Sequence, residues 1–307
     1  MWKYKVQSLI GIIGLAVGFT CFALSVLWIH YERSYDSFHE SSERLYLVRN
    51  KSNTDNSGFT PATPYPLASY LSETFPEIED ACNTSSHSTK IEVDGITHET
   101  FQASADSSFM RMFNIEITTG NLDFLVPNSK KVAITEEFSK MLWGDDDPFG
   151  KQISISKNEY TVCATVKGWP NHSNFYFQLL VPPNPIPVWY ASYLNTLIRL
   201  KKGTDVKAFE EKIFEHKIER ENIVFTNMKL TPLTSLRYDN PVNEAMIEYK
   251  YIFLFVLSGG LLILCSLFNY LTLFFSRFRI RLKELAVRIE NGSSGSDRKS
   301  TRLNSSH

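Results

Sequence analysis

Charge is missing from two long stretches of this 307-residue chain, Val6–Ile29 and Tyr251–Ser276, which contain no Asp, Glu, Lys or Arg. Other absences narrow the function. The net charge is only −1, so no basic excess exists to hold a nucleic acid. Four cysteines include no Cys-x-x-Cys pair, and seven histidines include no His-x-x-x-His pair. Those gaps argue against a zinc site and against a disulfide-dense secreted scaffold. No Gly-x-Ser-x-Gly elbow occurs. The stretch "GDDDPFGKQ" resembles a phosphate loop only superficially. Five residues separate Gly144 from Gly150, and Gln152 stands where Ser or Thr would ligate magnesium. Asp145, Asp146 and Asp147 would repel phosphate, and consecutive carboxylates rarely converge on a cation without other ligands. A turn is expected there. The chain presents no catalytic constellation, cofactor site or metal site, so it is not expected to be an enzyme.

The two uncharged stretches are themselves informative. A hydrocarbon core of about 30 Å needs about 20 apolar helical residues, and both stretches exceed that. A secretory signal would have a shorter apolar region of about 7–15 residues ending in small residues. Here the run continues through Leu27, Trp28 and Ile29, and Phe19 and Thr20 precede Cys21 where a lipoprotein signal would place small residues. A retained anchor is expected. Lys3 and Lys5 precede the first run, and Arg277, Arg279, Arg281, Lys283 and Arg288 follow the second. The positive-inside rule then puts both ends in the cytoplasm and residues 30–250 outside it. Cys21 and Cys265 fall within the spans. Cys82 and Cys163 share the outer compartment, where a disulfide is permitted. Spacing does not decide between a bridge and two free thiols, and free thiols are the expectation.

Residues 30–250 alternate strand and helix signals. "ERLYLVRN" predicts a strand, and "PLASYLSETFPEIED" a helix with Leu67, Leu71 and Phe75 on one face. Asp94-Gly95 predicts a hairpin turn inside "TKIEVDGITHETFQAS". Asp106 and Thr135 are predicted helix caps, the second before a helix burying Phe138, Met141 and Leu142. "TDVKAFEEKIFEHKIERE" predicts a helix with Phe209, Ile213 and Phe214 inward, and "NIVFTNMKLTPL" a strand. An α+β domain results. "PPNPIP", Pro182–Pro187, is a candidate internal boundary.

Beyond the second run, Phe278, Leu282, Leu285 and Ile289 recur at helical spacing, with Arg277, Arg281, Glu284 and Arg288 one residue earlier. The span is expected to continue as an amphipathic helix, which either anchors at lipid headgroups or docks a cytoplasmic protein through Lys283, Glu284 and Arg288. In the first span Gly14 and Gly18 form a small-x-x-x-small pair suited to helix packing, and Asn269 in the second offers an interhelical hydrogen bond.

The order of "LIGIIGLAVGFTCFALSVLWIHYERSYDSFHESSERLYLVR", "PATPYPLASYLSETFPEIE", "ADSSFMRMFNIEITTGN", "VAITEEFSKMLWGDDDPFGKQISI" and "RLKELAVR" resembles the MacB/FtsX-type ABC transporter permeases. The resemblance covers nearly all of Leu9–Arg288. It implies a membrane protein of the bacterial inner membrane, multi-pass, in which two transmembrane α-helices (6–29 and 251–276) flank an α+β extracytoplasmic domain (30–250), the MacB-like periplasmic core. Residues 1–5 would be cytoplasmic, and 277–296 would form a cytoplasmic coupling segment. A separate cytoplasmic ABC ATPase would bind ATP and drive the periplasmic domain, for export or for mechanotransmission. The permease would work as a dimer or pseudo-dimer, with a periplasmic partner in some systems. "KELAVR" matches the family's Lys-Glu-x-x-x-Arg stretch, which assigns Lys283, Glu284 and Arg288 to ATPase coupling. "IENGSS" departs from the family's usual turn but keeps Gly292 and Ser293. Residues 297–307, "DRKSTRLNSSH", look like a translated sequencing adaptor, so they are expected to be non-native and the chain an N-terminal fragment. Two other readings of the hydropathy are a two-span signalling receptor with a periplasmic sensor and a non-transporting regulator of a periplasmic partner.

Overall fold

The computed structural model describes residues 2–51, 58–221, 223–239 and 249–290. It divides into two compact units, Met1–Tyr31 with Glu248–His307, and Glu32–Ile247.

The first unit is built from α1 (Trp2–Arg33) and a long helix, Tyr249–Glu290. The stretches Ile12–Arg33 and Phe253–Val287 are long and apolar enough to cross a membrane, and each is only 11% buried within the protein. Ile12, Phe19, Leu27, Phe253 and Phe268 are all more than 60% exposed, an apolar surface that water would not tolerate. Several hydroxyls in these helices are satisfied within their own helix. Thr20 donates to the Ala16 carbonyl, Ser25 to Cys21 and Thr272 to Phe268, each at 2.8 Å, as an environment without water requires. The 42 residues of the long helix extend about 63 Å at 1.5 Å per residue, roughly twice a hydrocarbon core. The segment expected to follow the span thus continues the same helix to Glu290, while residues 291–307 lie outside the described ones.

The second unit begins after α1. Its strands and helices run β1 (Leu45–Lys51), β2 (Phe59–Thr60), β3 (Ala62–Pro64), α2 (Leu67–Thr74), β4 (Ile78–Thr84), β5 (Ser86–Val93), β6 (Ile96–Ser104), α3 (Ser107–Met112) and β7 (Ile117–Gly120). They continue as β8 (Lys131–Thr135), α4 (Glu136–Trp143), β9 (Gln152–Ile155), β10 (Asn158–Val166), β11 (Leu179–Val181), β12 (Ser192–Leu200) and α5 (Val206–Glu215). Last come β13 (Ile218–Arg220), β14 (Ile223–Phe225), β15 (Lys229–Pro232) and α6 (Leu236–Asp239); the long helix is therefore α7.

One sheet has the order β15-β1-β12-β3, with β2 and β4 paired to β1 and β12. The other runs β10-β8-β11-β6-β5-β9, and β9 pairs with β10 as well as with β5, so six strands close into a ring with β7 attached to β10. Closure removes most free strand edges. Leu45 and Leu47 of β1 join the core between the two sheets, whereas Tyr46 and Val48 point to the other face against α2 and α5. Period-two alternation therefore buries this sheet on both sides. Inside the ring lie Ile91, Val93, Val132, Ile134, Ile153, Ile155 and Val162, plugged by Phe138 from α4. An irregularity between Val162 and Ala164 shifts the register of β10, so Cys163 and Ala164 both face the inter-sheet core.

Local chemistry sets the element ends. Asp94 and Gly95 both have positive φ, 51° and 80°, the type I′ turn that joins β5 to β6. Asp106 accepts a hydrogen bond from Phe109 N at 2.7 Å, and Thr135 from Phe138 N at 3.3 Å. Pro182–Pro187 lies where the chain returns from the ring at β11 to the first sheet at β12.

Three expectations need correction. Met141 is 58% and Phe214 44% exposed, because α4 and α5 present only a narrow stripe to the core. Phe138 and Phe209 with Ile213 fill it. The helix α5 stops at Glu215, and "KIERE" instead forms β13 against β14. "NIVFTNMKLTPL" contains two strands, separated by Asn227 in a left-handed conformation at φ 55°.

Candidate functional site

The segment that follows the apolar part of α1 is polar in sequence yet buried in structure. Glu32, Asp36 and His39 are 2%, 0% and 7% exposed. Burying a carboxylate is expensive unless it is paired or hydrogen-bonded, and both carboxylates are. Glu32 pairs through both carboxylate oxygens with the Arg237 guanidinium of α6. The Arg237 plane also lies 3.9 Å from the Tyr35 ring centroid, a cation–π contact. The first residues of this unit and its last described element are thereby tied to each other.

Asp36 is tied elsewhere. Its Oδ1 accepts from Ser173 Oγ at 2.5 Å, and its Oδ2 from Asn174 Nδ2 at 2.5 Å and from Asn174 N at 3.1 Å. Asp36 N in turn donates to the His172 carbonyl at 3.3 Å. The residue takes φ 55° to do so, a conformation in which Asp is among the more tolerant side chains. Burial pushes its carboxyl above the ordinary range, partly offset by the Ser173 and Asn174 hydrogen bonds. One turn later the His39 imidazole is wedged between rings. Centroids of Phe38, Trp169 and Phe113 lie 4.1, 4.6 and 4.9 Å away. His39 Nε2 has no hydrogen-bond partner and sits 3.8 Å from Asp36 Oδ1. Burial lowers this histidine to about 4, so it is neutral at neutral pH.

These contacts make residues 32–39 a joint. It joins the 172–174 loop, through Asp36, to α6, through Glu32. The sequence offered no sign of it: the partners of Asp36 lie 137 and 138 residues away and that of Glu32 lies 205 away.

The residues singled out from sequence fall in the other unit. Gly18 lies so close to α7 that an added Cβ would stand 2.3 Å from Ser266 Oγ and 3.2 Å from the Leu262 carbonyl oxygen. At Gly14 the corresponding distance, to Asn269 Nδ2, is 3.4 Å, and Ser266 Oγ donates to the Gly14 carbonyl at 3.1 Å. Further along, Ser25 faces Gly259, and Trp28 packs on Phe255 at 5.1 Å. Lys283 and Glu284 share one face of α7 with Ile280 and Val287, at i, i+3, i+4 and i+7. Arg288 is in the same helix, but its side chain lies outside the described ones. Among the described residues no group of three or more His, Cys, Asp or Glu is placed to hold a metal. Cys82 and Cys163 are unbonded and buried, and burial raises both thiols above their ordinary range, which keeps them unreactive.

An α+β body carried between two membrane-length helices and tied together at its own two ends is the class of protein these features define: a membrane protein with a periplasmic domain. Residues 8–215 match the MacB-like periplasmic core domain, and the chain belongs to that family, within the MacB/FtsX-type permeases. A domain assigned to a permease protein from Porphyromonas gingivalis superposes with a TM-score of 0.53 at 21% identity, covering 63% of this chain and 91% of that one. The periplasmic region of MacB from Actinobacillus actinomycetemcomitans gives 0.47 at 11% identity over 64% and 92%. The extracellular domain of the ABC-type transporter YknZ from Gram-positive bacteria gives 0.43 at 13% identity over 53% and 87%. No curated protein sequence matches.

Proposed function

We propose that the chain belongs to the transmembrane subunit of an ABC system in the inner membrane, and that it converts ATP-driven movement on the cytoplasmic side into movement of the periplasmic domain. A separate ATPase binds and hydrolyses the ATP, and this subunit supplies the lever. In this reading the ATPase engages Lys283, Glu284 and Arg288. The observation that carries the proposal is the continuity of α7. One 42-residue helix bears both the span and the face with Ile280, Lys283, Glu284 and Val287. A displacement at that face travels along a hydrogen-bonded rod with no Gly or Pro from Leu261 to Glu290, as far as the Gly259-Gly260 pair. The same machinery serves export or the control of a periplasmic partner, and it operates as a dimer or pseudo-dimer of permease halves.

The full-length subunit, expressed with the ABC ATPase encoded beside it, provides the test. Affinity purification is expected to recover the ATPase, and Lys283→Glu with Glu284→Lys to lose it at least tenfold while the subunit still inserts. Recovery of the ATPase unchanged by the double substitution would overturn the assignment of this face.

A further inference from the structure

A cavity of about 370 Å³ opens beside the joint, lined by Phe38, His39 and Glu40, by Phe113–Glu116, and by Lys167–Pro170. Its volume is within the range of small-molecule sites. The wall is aromatic. Phe38 is 39% exposed, Trp169 is half-buried, and their rings meet edge to face at 6.3 Å. The charge is one-sided. Lys167 is engaged with Glu116 at 3.9 Å, whereas Glu40 only accepts a hydrogen bond from Asn114 Nδ2 at 2.5 Å and has no cationic partner among the described residues. Behind the aromatic floor, 3.8 Å from His39 Nε2, lies the Asp36 carboxylate, already held by Ser173 and Asn174 and facing His172. The floor adds no opposing charge, since His39 is neutral at neutral pH.

Ring faces together with an unneutralised carboxylate favour a soft cation over an anion or a neutral body of the same shape. We propose that this cavity binds a small organic cation, an ammonium group on an apolar body, with the ammonium against Phe38 and Trp169 and its charge answered by Glu40. An occupant would tether residues 38–40, which follow the joint, to the loops 113–116 and 167–170. Ligand in the periplasm would then stiffen the path by which the joint moves the domain. The binding site itself stands whether or not an ATPase drives the protein.

Choline and its neutral isostere 3,3-dimethyl-1-butanol separate charge from shape. The full chain, labelled with 5-fluorotryptophan and held in lipid nanodiscs, reports binding by ¹⁹F NMR, with the Trp169 resonance assigned from its loss in Trp169→Phe. Choline is expected to shift the Trp169 resonance saturably and to leave those of Trp2, Trp28 and Trp143 in place. The neutral alcohol should bind at least tenfold more weakly, and Glu40→Gln should weaken choline at least tenfold without changing the free spectrum elsewhere. Glu92→Gln, on the solvent face of β5, should have no effect. Equal binding of the two probes, no saturable shift with choline, or a Glu40→Gln protein that binds choline normally would each overturn the proposal.

Discussion

Glu32 and Arg237, 205 residues apart in the chain, form a bidentate ion pair with side chains 3% and 13% exposed. Removing one partner of such a pair leaves a buried charge uncompensated, at a cost of about 3–5 kcal/mol in enclosed cases. Glu32→Gln is therefore expected to destabilise the domain by about 3 kcal/mol. Replacing both partners, as in Glu32→Gln with Arg237→Met, should cost less than the sum of the single changes. Thermal unfolding of the four proteins in nanodiscs closes this double-mutant cycle, and strict additivity would mean that the pair contributes nothing.

Asp36 tests a different kind of bond. Asn in its place preserves volume and tolerates φ 55°, but it sets an amide NH₂ against the Asn174 and Ser173 donors. A loss of about 2 kcal/mol is expected from the unmatched donors. Asp36→Ala should lose more, because it removes every side-chain hydrogen bond to Ser173 and Asn174 and adds the strain of a left-handed residue, about 1 kcal/mol. Limited proteolysis near residue 172 would report the freed loop. If Asp36→Asn were as resistant as the parent, the carboxylate would not be what holds that loop.

His39 fixes a pH dependence. Its folded value, about 4, lies below the ordinary 6.5, so the unfolded chain binds more protons between those limits and stability falls as pH drops through that window. A shift of that size corresponds to about 3 kcal/mol. Asp36 acts in the opposite sense. Its raised carboxyl favours the folded state most strongly below the ordinary carboxylate value, and that contribution is lost as pH rises through the raised one. His39 by itself therefore predicts a decline in stability from pH 6.5 toward 5, against which Asp36 works. His39→Phe should flatten it, and denaturant midpoints measured at pH 7, 6 and 5 will decide. An identical slope in His39→Phe would assign the effect to other groups.

Gly14 and Gly18 lie four residues apart but differ in tolerance. Alanine at Gly18 would collide with Ser266 Oγ and crowd the backbone oxygen of Leu262, whereas alanine at Gly14 meets only the end of the Asn269 side chain at 3.4 Å. Gly18→Ala should weaken the contact between α1 and α7 by about 1–2 kcal/mol, and Gly14→Ala by much less. Ser266→Gly, by clearing the space, should partly rescue Gly18→Ala. Disulfide formation between cysteines placed at Ser25 and Gly259 in a background without native cysteines gives the measurement. Equal rates for the two alanine variants would show that the close approach at Gly18 is not needed.

Much of the fold was legible because its signals are local. The Asp94-Gly95 turn, the Asp106 and Thr135 caps and the alternation in β1 each depend on residues within a few positions of one another. Met141 and Phe214 misled because an apolar residue on a helix edge looks the same whether a partner layer reaches it or not. The joint was not legible for a stronger reason. Nothing near Asp36 in "ERSYDSFHE" distinguishes a buried carboxylate from a solvated one, since the donors that make burial tolerable come from Ser173 and Asn174.

The sequence alone determined that two stretches, emptied of charge, must leave water, and that the residues between them alternate as an α+β domain. Hydrophobicity and periodicity are properties of neighbouring residues and need no distant partner. Only the tertiary structure decided that β9 closes a ring between β5 and β10, that Gly18 meets Ser266, and that Glu32 and Asp36 are enclosed instead of solvated. Each of those outcomes depends on groups far apart in the chain that meet only on folding. The energy of a buried charge is set by those groups and not by its neighbours in sequence.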